Sequence, residues 1–182
     1  QRTAAAAITE GAAGGVSGPE ISQGFDASGS KFDGDGNLEN WWTDADRVAF
    51  EERTRVLIEQ FNAFEPVEGM QVNGELTLGE NIGDLSGVTM AYRAYINSLN
   101  GAEPPVIDGF TGPQRFFIGY AMSRKGKYQE EAVVSRLASD SHSPLKYRVI
   151  GPYRNIDAFH EAFGTQEGDG MWLAPEDRVR LW

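Results

Sequence analysis

The sequence predicts a mainly α fold with minor β content, an α+β class, on three observations. Apolar residues recur at helical spacing in several segments, alternating segments that suit strands are few and short, and no internal repeat is visible. The chain has 182 residues, of which 40% are hydrophobic. A chain of this length buries about 70% of its unfolded surface, so it can form one domain or a large part of one.

The elements at the start of the chain differ in character. Residues 1–17 are rich in Ala and Gly and are predicted to be flexible, because each glycine disfavours helix by about 1 kcal/mol relative to alanine. Residues 24–43 alternate Asp and Gly without a period and are predicted to form a loop. Residues 44–64 have one apolar face and are predicted to be a helix capped by Thr43 or Asp44.

The remaining elements are mostly helical. Residues 70–78 contain an Asn-Gly pair that suits a short strand or hairpin, and residues 146–151 alternate like a short strand. Helical spacing, with caps or glycine stops at several ends, predicts further helices at 77–101, 112–124, 129–139 and 155–164.

Charge and composition exclude several functions. The formal net charge is -11 and no basic tract is present, which argues against nucleic-acid binding, since phosphate contacts need clustered Lys and Arg. No apolar run approaches the roughly 18 residues of a membrane span, so no transmembrane segment is predicted. The chain has no cysteine, which excludes disulfides and thiolate metal ligands.

The stretch "GPEISQGFD" at 18–26 is close to a zinc-protease motif. That motif places a glutamate general base between two histidines four residues apart on a helix. Here Glu20 is present, but Pro19 and Gln23 stand at the histidine positions. Proline has no donor atom and a carboxamide is a weak neutral ligand, so the stretch predicts loss of the metal.

Pro19 also bears on the local backbone. A proline inside a helix costs about 3 kcal/mol or more, so we expect a long helix through this stretch to break or kink. The alternative is a new short helix capped by Ser17 or Gly18, with Pro19 in its first turn.

Two acidic residues and one histidine form the other candidate groups. Glu80 and Asp84 of "GENIGD" lie four apart and therefore on one helix face, for which spacing alone favours a solvated acidic surface. His142 in "DSHSP" suits an exposed loop.

These motifs, in this order, resemble the C-terminal part of the neprilysin family of zinc metalloendopeptidases. The resemblance runs from about Gly11 to Trp182 and includes "SKFDGDGNLENWWT", "NGELTLGENIGDLSG", "DSHSPLKYRV" and the closing "RVRLW". It implies that residues 18–182 are a neprilysin-like C-terminal portion of a peptidase domain, a partial gluzincin (thermolysin-like) catalytic domain. One departure is Arg124, where related sequences carry Trp; a charge there needs exposure or a partner.

The resemblance assigns vestigial roles to five residues. They are the catalytic base Glu20, the third zinc ligand Glu80, the ligand-orienting Asp84, the oxyanion-stabilising His142 and the substrate-binding Arg148. Without the two histidines, at most an all-oxygen group of Glu20, Glu80 and Asp84 remains, closer to a weak Ca²⁺ or Mg²⁺ site than to a zinc site. We therefore expect no cofactor, although the family uses zinc.

Three functional interpretations follow. The first is a catalytically silent homologue or fragment that acts as a structural or peptide-binding subunit, with a second peptidase-like chain supplying the N-terminal half. The alternative is a zinc metalloendopeptidase whose missing ligands and N-terminal half come from another chain or from the full-length protein. The third is an excised or inactivated fragment of an ordinary enzyme. The resemblance implies a periplasmic or extracellular location.

Overall fold

Eight α-helices form the described part of this computed structural model, which comprises residues 2–26 and 28–181. In chain order they are α1 (Arg2–Thr9), α2 (Gly15–Ser22), α3 (Asp44–Asn62), α4 (Leu78–Ser98), α5 (Gly112–Ser123), α6 (Glu130–Leu137), α7 (Tyr147–Arg154) and α8 (Asp157–Phe163). Within these residues β structure is limited to three isolated antiparallel bridges. The mainly α class is confirmed. Trp182, the last residue of the "RVRLW" block, lies outside the described residues.

The predicted helices at 44–64, 77–101, 112–124, 129–139 and 155–164 are all present, as α3, α4, α5, α6 and α8. Thr43 and Asp46 form the capping box that starts α3, as the sequence predicts for Thr43. Gly164 ends α8 in the left-handed conformation. Cap residues therefore located the helix ends well.

The core combines aromatic side chains of α4 and α5 with buried residues of α3, α7 and α8. Its largest buried side chains are aromatic: Tyr95 of α4 stacks on Phe116 of α5, with 5.7 Å between ring centroids, and Phe117 and Tyr120 continue the same face. Phe61 of α3 is also fully buried. Burial of this aromatic surface is the main source of stability.

The N-terminal segment is helical, in contrast to the flexible segment predicted for residues 1–17. A π-helical turn, Glu10–Gly14, joins α1 to α2, and glycines on this segment touch the core directly. A Cβ on Gly11 would lie 2.1 Å from the Phe116 carbonyl oxygen, and one on Gly18 would lie 2.4 Å from Gly87 Cα. The glycines that oppose helix locally therefore permit close packing, which the sequence-based prediction missed. The domain boundary at residue 17 stays a prediction.

Pro19 lies inside α2, so the expected helix break at this proline and the alternative of a new helix that starts there are both wrong. It is buried, and its ring packs against α4 at Gly83 and Gly87. A Cβ on Gly87 would lie 2.3 Å from Pro19 Cδ. This close contact offsets the backbone hydrogen bond that proline cannot donate.

Residues 146–151 belong to helix α7, so the predicted strand is wrong. The alternation is too short to outweigh tertiary contacts at helical spacing: Arg148 and Gly151 both point inward, and a Cβ on Gly151 would lie 2.3 Å from the Phe61 ring. Pro152 leaves the Arg148 carbonyl without its helical donor. The Tyr120 hydroxyl donates to that carbonyl instead, at 3.1 Å.

The hairpin predicted within 70–78 is also absent from the described structure, which has turns there. The Asn73 side chain accepts from the Leu76 amide at 2.9 Å, and the Gly74 amide donates to Asn62 of α3 at 2.7 Å. The Asn-Gly pair therefore closes a local turn against α3.

None of the helices in 2–26 and 28–181 combines the length and apolar character needed to cross a membrane.

We predict that Gly87→Ala lowers the free energy of unfolding by about 2 kcal/mol, because the added methyl group collides with Pro19. Denaturant unfolding followed by circular dichroism measures the change. The matched control is Gly24→Ala, since a Cβ at Gly24 meets nothing within 4 Å. Equal stability of the two variants would contradict the close α2 to α4 packing.

Candidate functional site

The two acidic residues of "GENIGD" lie on the first half of α4 and face inward. The Asp84 side chain is 1% exposed and that of Glu80 is 19% exposed. The solvated acidic face that spacing alone favoured is therefore wrong for Asp84. A buried carboxylate needs a compensating charge, so its partners define the site.

Asp84 is paired with two arginines. Arg148 of α7 donates from Nε to Oδ2 at 2.6 Å and from Nη2 to Oδ1 at 2.9 Å. Arg124, which follows α5, donates from Nη2 to Oδ1 at 2.9 Å. Of the two options that the sequence left for a charge at position 124, the structure has the paired one. Burial alone would lower the pKa of Arg148, but the hydrogen bond and charge of Asp84 raise it above its ordinary value.

Glu80 is bonded to three side chains from separate segments. Its Oε2 accepts from Arg148 Nη2 at 3.3 Å and lies 3.1 Å from His142 Nε2. Its Oε1 accepts from Gln23 Nε2 at 3.5 Å. The structure thus brings Gln23, Glu80, Asp84, His142 and Arg148 together. Their assigned roles stay predictions.

A local turn holds His142 in place. Asp140 Oδ1 accepts from the His142 backbone amide at 2.9 Å and lies 2.8 Å from its Nδ1, while Asp140 Oδ2 pairs with Arg136 at 2.6 Å. Burial would raise the pKa of Asp140, but the bonds from His142 and Arg136 hold it below its ordinary value. Asp140 was not among the site residues predicted from the sequence, although an Asp two residues before the histidine is a signal for such a turn.

A buried hydrogen bond fixes this turn to α4. The Ser143 hydroxyl donates to Asn81 Oδ1 at 2.8 Å, and Asn81 Nδ2 donates to Thr77 Oγ1 at 2.9 Å. Asn81 and Ser143 are both buried. They belong to the same two motifs as the predicted site residues, and they position His142 beside Glu80.

The residues present do not fit a zinc ion. Pro19 offers no donor and is packed against α4, while Gln23 turns its amide nitrogen toward Glu80. Glu20 is exposed on α2. Across residues 2–26 and 28–181, no group of three or more His, Asp or Glu side chains is arranged so that it could hold a metal ion. The all-oxygen group of Glu20, Glu80 and Asp84 is therefore not assembled.

A cavity of about 170 Å³ opens beside His142 and Arg148. Val133 and Leu137 of α6 and Leu145 form its apolar wall. The lining also includes the polar side chains of Arg136 and Ser143, and an apolar wall combined with polar groups suits a peptide side chain next to its backbone.

We predict that Arg148→Met lowers the free energy of unfolding by about 3 kcal/mol, because Asp84 keeps only Arg124 as a partner. Arg180→Met is the matched control: Arg180 and Asp157 are 64% and 43% exposed, so its loss should cost less than about 1 kcal/mol. Thermal and denaturant unfolding give both values. Similar costs for the two variants would refute a structural role for the Asp84 ion pairs.

Curated relatives match most of the chain. Neprilysin-11 of Caenorhabditis elegans is 42% identical over 162 residues, which are 86% of this chain and 19% of that protein. Human neprilysin is 37% identical over 181 residues, which are 96% of this chain and 24% of that protein. The chain therefore spans about a fifth to a quarter of the length of these relatives.

Solved structures of related proteins also superpose on most of the chain. The zinc metalloprotease ZMP1 of Mycobacterium tuberculosis, in complex with an inhibitor, superposes with a TM-score of 0.94 at 48% identity. The match covers 97% of this chain and 28% of that protein. These relatives support the partial peptidase fold that the resemblance implied.

The sequence profile of peptidase family M13 matches residues 1–179 of this chain. The resemblance read from "GPEISQGFD", "GENIGD" and "DSHSP" is thereby confirmed at the level of the family. The chain belongs to peptidase family M13, the neprilysin family.

Proposed function

We propose that this chain is a catalytically silent member of the neprilysin family that serves as a structural or peptide-binding unit. One observation carries the proposal: Glu80 and Asp84 are bonded to Arg124, Arg148 and His142 rather than arranged as free ligands. Guanidinium groups supply the positive charge that these carboxylates need.

The chemistry of the donor set supports this proposal. In zinc hydrolases the ion polarises a carbonyl and lowers the pKa of a bound water to about 7. Holding such an ion takes about three protein ligands, and position 19 provides none while position 23 provides an amide. Glu20 would then have no activated water to deprotonate, and His142 no tetrahedral oxyanion to stabilise.

Such a chain can still bind peptides, because peptide binding does not need the metal. Arg148 uses Nε and Nη2 for its bonds to Asp84 and Glu80 and still lines the cavity beside His142. Val133, Leu137 and Leu145 give the cavity an apolar wall. A peptide with a large apolar side chain fits this chemistry.

The alternative is a zinc metalloendopeptidase whose missing ligands and N-terminal half come from another chain or from the full-length protein. Two observations favour it: the chain spans only part of its relatives' length, and Ile21, Leu38 and Trp41 expose large apolar surfaces. This alternative requires stoichiometric zinc once that second portion is bound. Either function keeps the periplasmic or extracellular location as part of the proposal.

The purified chain, dialysed against excess zinc chloride and then against buffer, is expected to retain well under one zinc ion per chain. Elemental analysis by mass spectrometry measures the metal, with the Mycobacterium tuberculosis metalloprotease ZMP1 as the positive control. One equivalent of zinc in this chain alone would overturn the silent assignment.

We predict weak binding of the blocked dipeptide N-acetyl-Phe-Leu-amide, with a Kd on the order of 1 mM, because the cavity is small and open. Chemical-shift changes of the His142 ring protons report the binding. Leu137→Asn should weaken it, whereas Leu38→Asn, an exposed leucine outside the cavity lining, should not. Unchanged binding by Leu137→Asn would show that the dipeptide does not use this cavity.

A further inference from the structure

Arg124 makes an ion pair that none of the predicted site roles includes. It lies at the C-terminal end of α5, and its side chain is 15% exposed. The guanidinium lies 5.5 Å from the centroid of the Tyr120 ring while Nη2 donates to Asp84. Its position is therefore fixed by a cation–π contact on one side and a carboxylate on the other.

The ion pair involves the same stretch of α4 against which Pro19 packs. Pro19 packs against Gly83 and Gly87 of α4, and Asp84 directly follows Gly83. Since Asp84 lies between these two glycines in the sequence, we expect a longer side chain at position 19 to reach it. A metal-binding histidine normally donates a hydrogen bond from its second ring N–H to a carboxylate. That bond fixes the ring orientation and raises the basicity of the imidazole.

Both oxygens of Asp84 already accept bonds from guanidinium groups. Arg148 uses both of them, and Arg124 adds a second bond to Oδ1. The bonds of Arg148 also join Asp84 to Glu80, so Arg148 links the two carboxylates. Arg124 pairs with Asp84, whereas Glu80 is bonded to Arg148, His142 and Gln23, so Arg124 can be replaced while that link is kept.

We propose that Arg124 closes this site to a divalent cation, so that restoring histidines at positions 19 and 23 is not enough to create a zinc site. Its guanidinium holds a bond to Oδ1 of the carboxylate on which a new imidazole would depend, and its positive charge repels an approaching cation. This inference rests on the proposed function and explains how the buried Asp84 keeps a charge balance without a metal.

Zinc binding by histidine variants tests the inference. Isothermal titration with zinc chloride compares Pro19→His/Gln23→His with the same double variant carrying Arg124→Met. We expect the Arg124→Met variant to bind zinc at least about tenfold more tightly, because a nearby positive charge is removed. Arg124→Lys in the same background is the matched control: it keeps the charge and should bind as weakly as the double variant.

The outcomes separate this inference from the proposed function. Equal zinc affinity with and without Arg124→Met would overturn the inference and leave the silent assignment in place. Stoichiometric zinc in the unmodified chain would overturn the silent assignment itself.

If the histidine variants do not fold, a double-mutant cycle on the otherwise unmodified chain tests the coupling between Arg124 and Asp84 on which the inference rests. It compares Arg124→Met, Asp84→Asn and the combination by denaturant unfolding. Arg124→Met alone should raise the unfolding equilibrium constant by at least about tenfold, and by much less when Asp84 is already Asn. Additive effects would show that Arg124 does not serve Asp84 and would overturn the inference.

Discussion

The buried carboxylate of Asp84 is the constraint on which the rest of the site depends. An ionised side chain removed from water is tolerated only with good partners, and here the partners arrive from two other helical segments. The end of α5 must place Arg124 within bonding distance of Asp84. The start of α7 must do the same for Arg148. The position of Glu80 beside Arg148 and His142 then follows from its place one turn earlier on α4.

Much of the fold could be predicted from the sequence, because its signals are local. Thr43 and Gly164 mark helix ends through contacts within a few residues, and the structure places helix ends at both. The N-terminal helix and α7 could not be predicted in this way. Gly18 meets Gly87 and Gly151 meets Phe61, contacts between residues far apart in sequence that reverse the local preference.

In the candidate site, too, the local motifs could be predicted and the long-range contacts could not. The motifs indicated which residues to examine, and Glu80, Asp84, His142 and Arg148 do lie together. The partner of Arg124 could not be read from the sequence, since it lies 40 residues away in the chain. Nor could the bond from Ser143 to Asn81, which spans 62 residues and orients the histidine turn. Spacing within a motif reports a helix face, whereas these bonds depend on how helices pack.

The backbone contact between Gly18 and Gly87 separates the geometry of the site from its chemistry. Because this contact and the Pro19 ring hold α2 against α4, the backbone places the side chain at position 23 beside Glu80. The pair of helices is thus a preorganised scaffold whose side chains can be exchanged at a few sites. For protein engineering, this pair of helices offers backbone positions that fix the location and direction of newly introduced polar side chains.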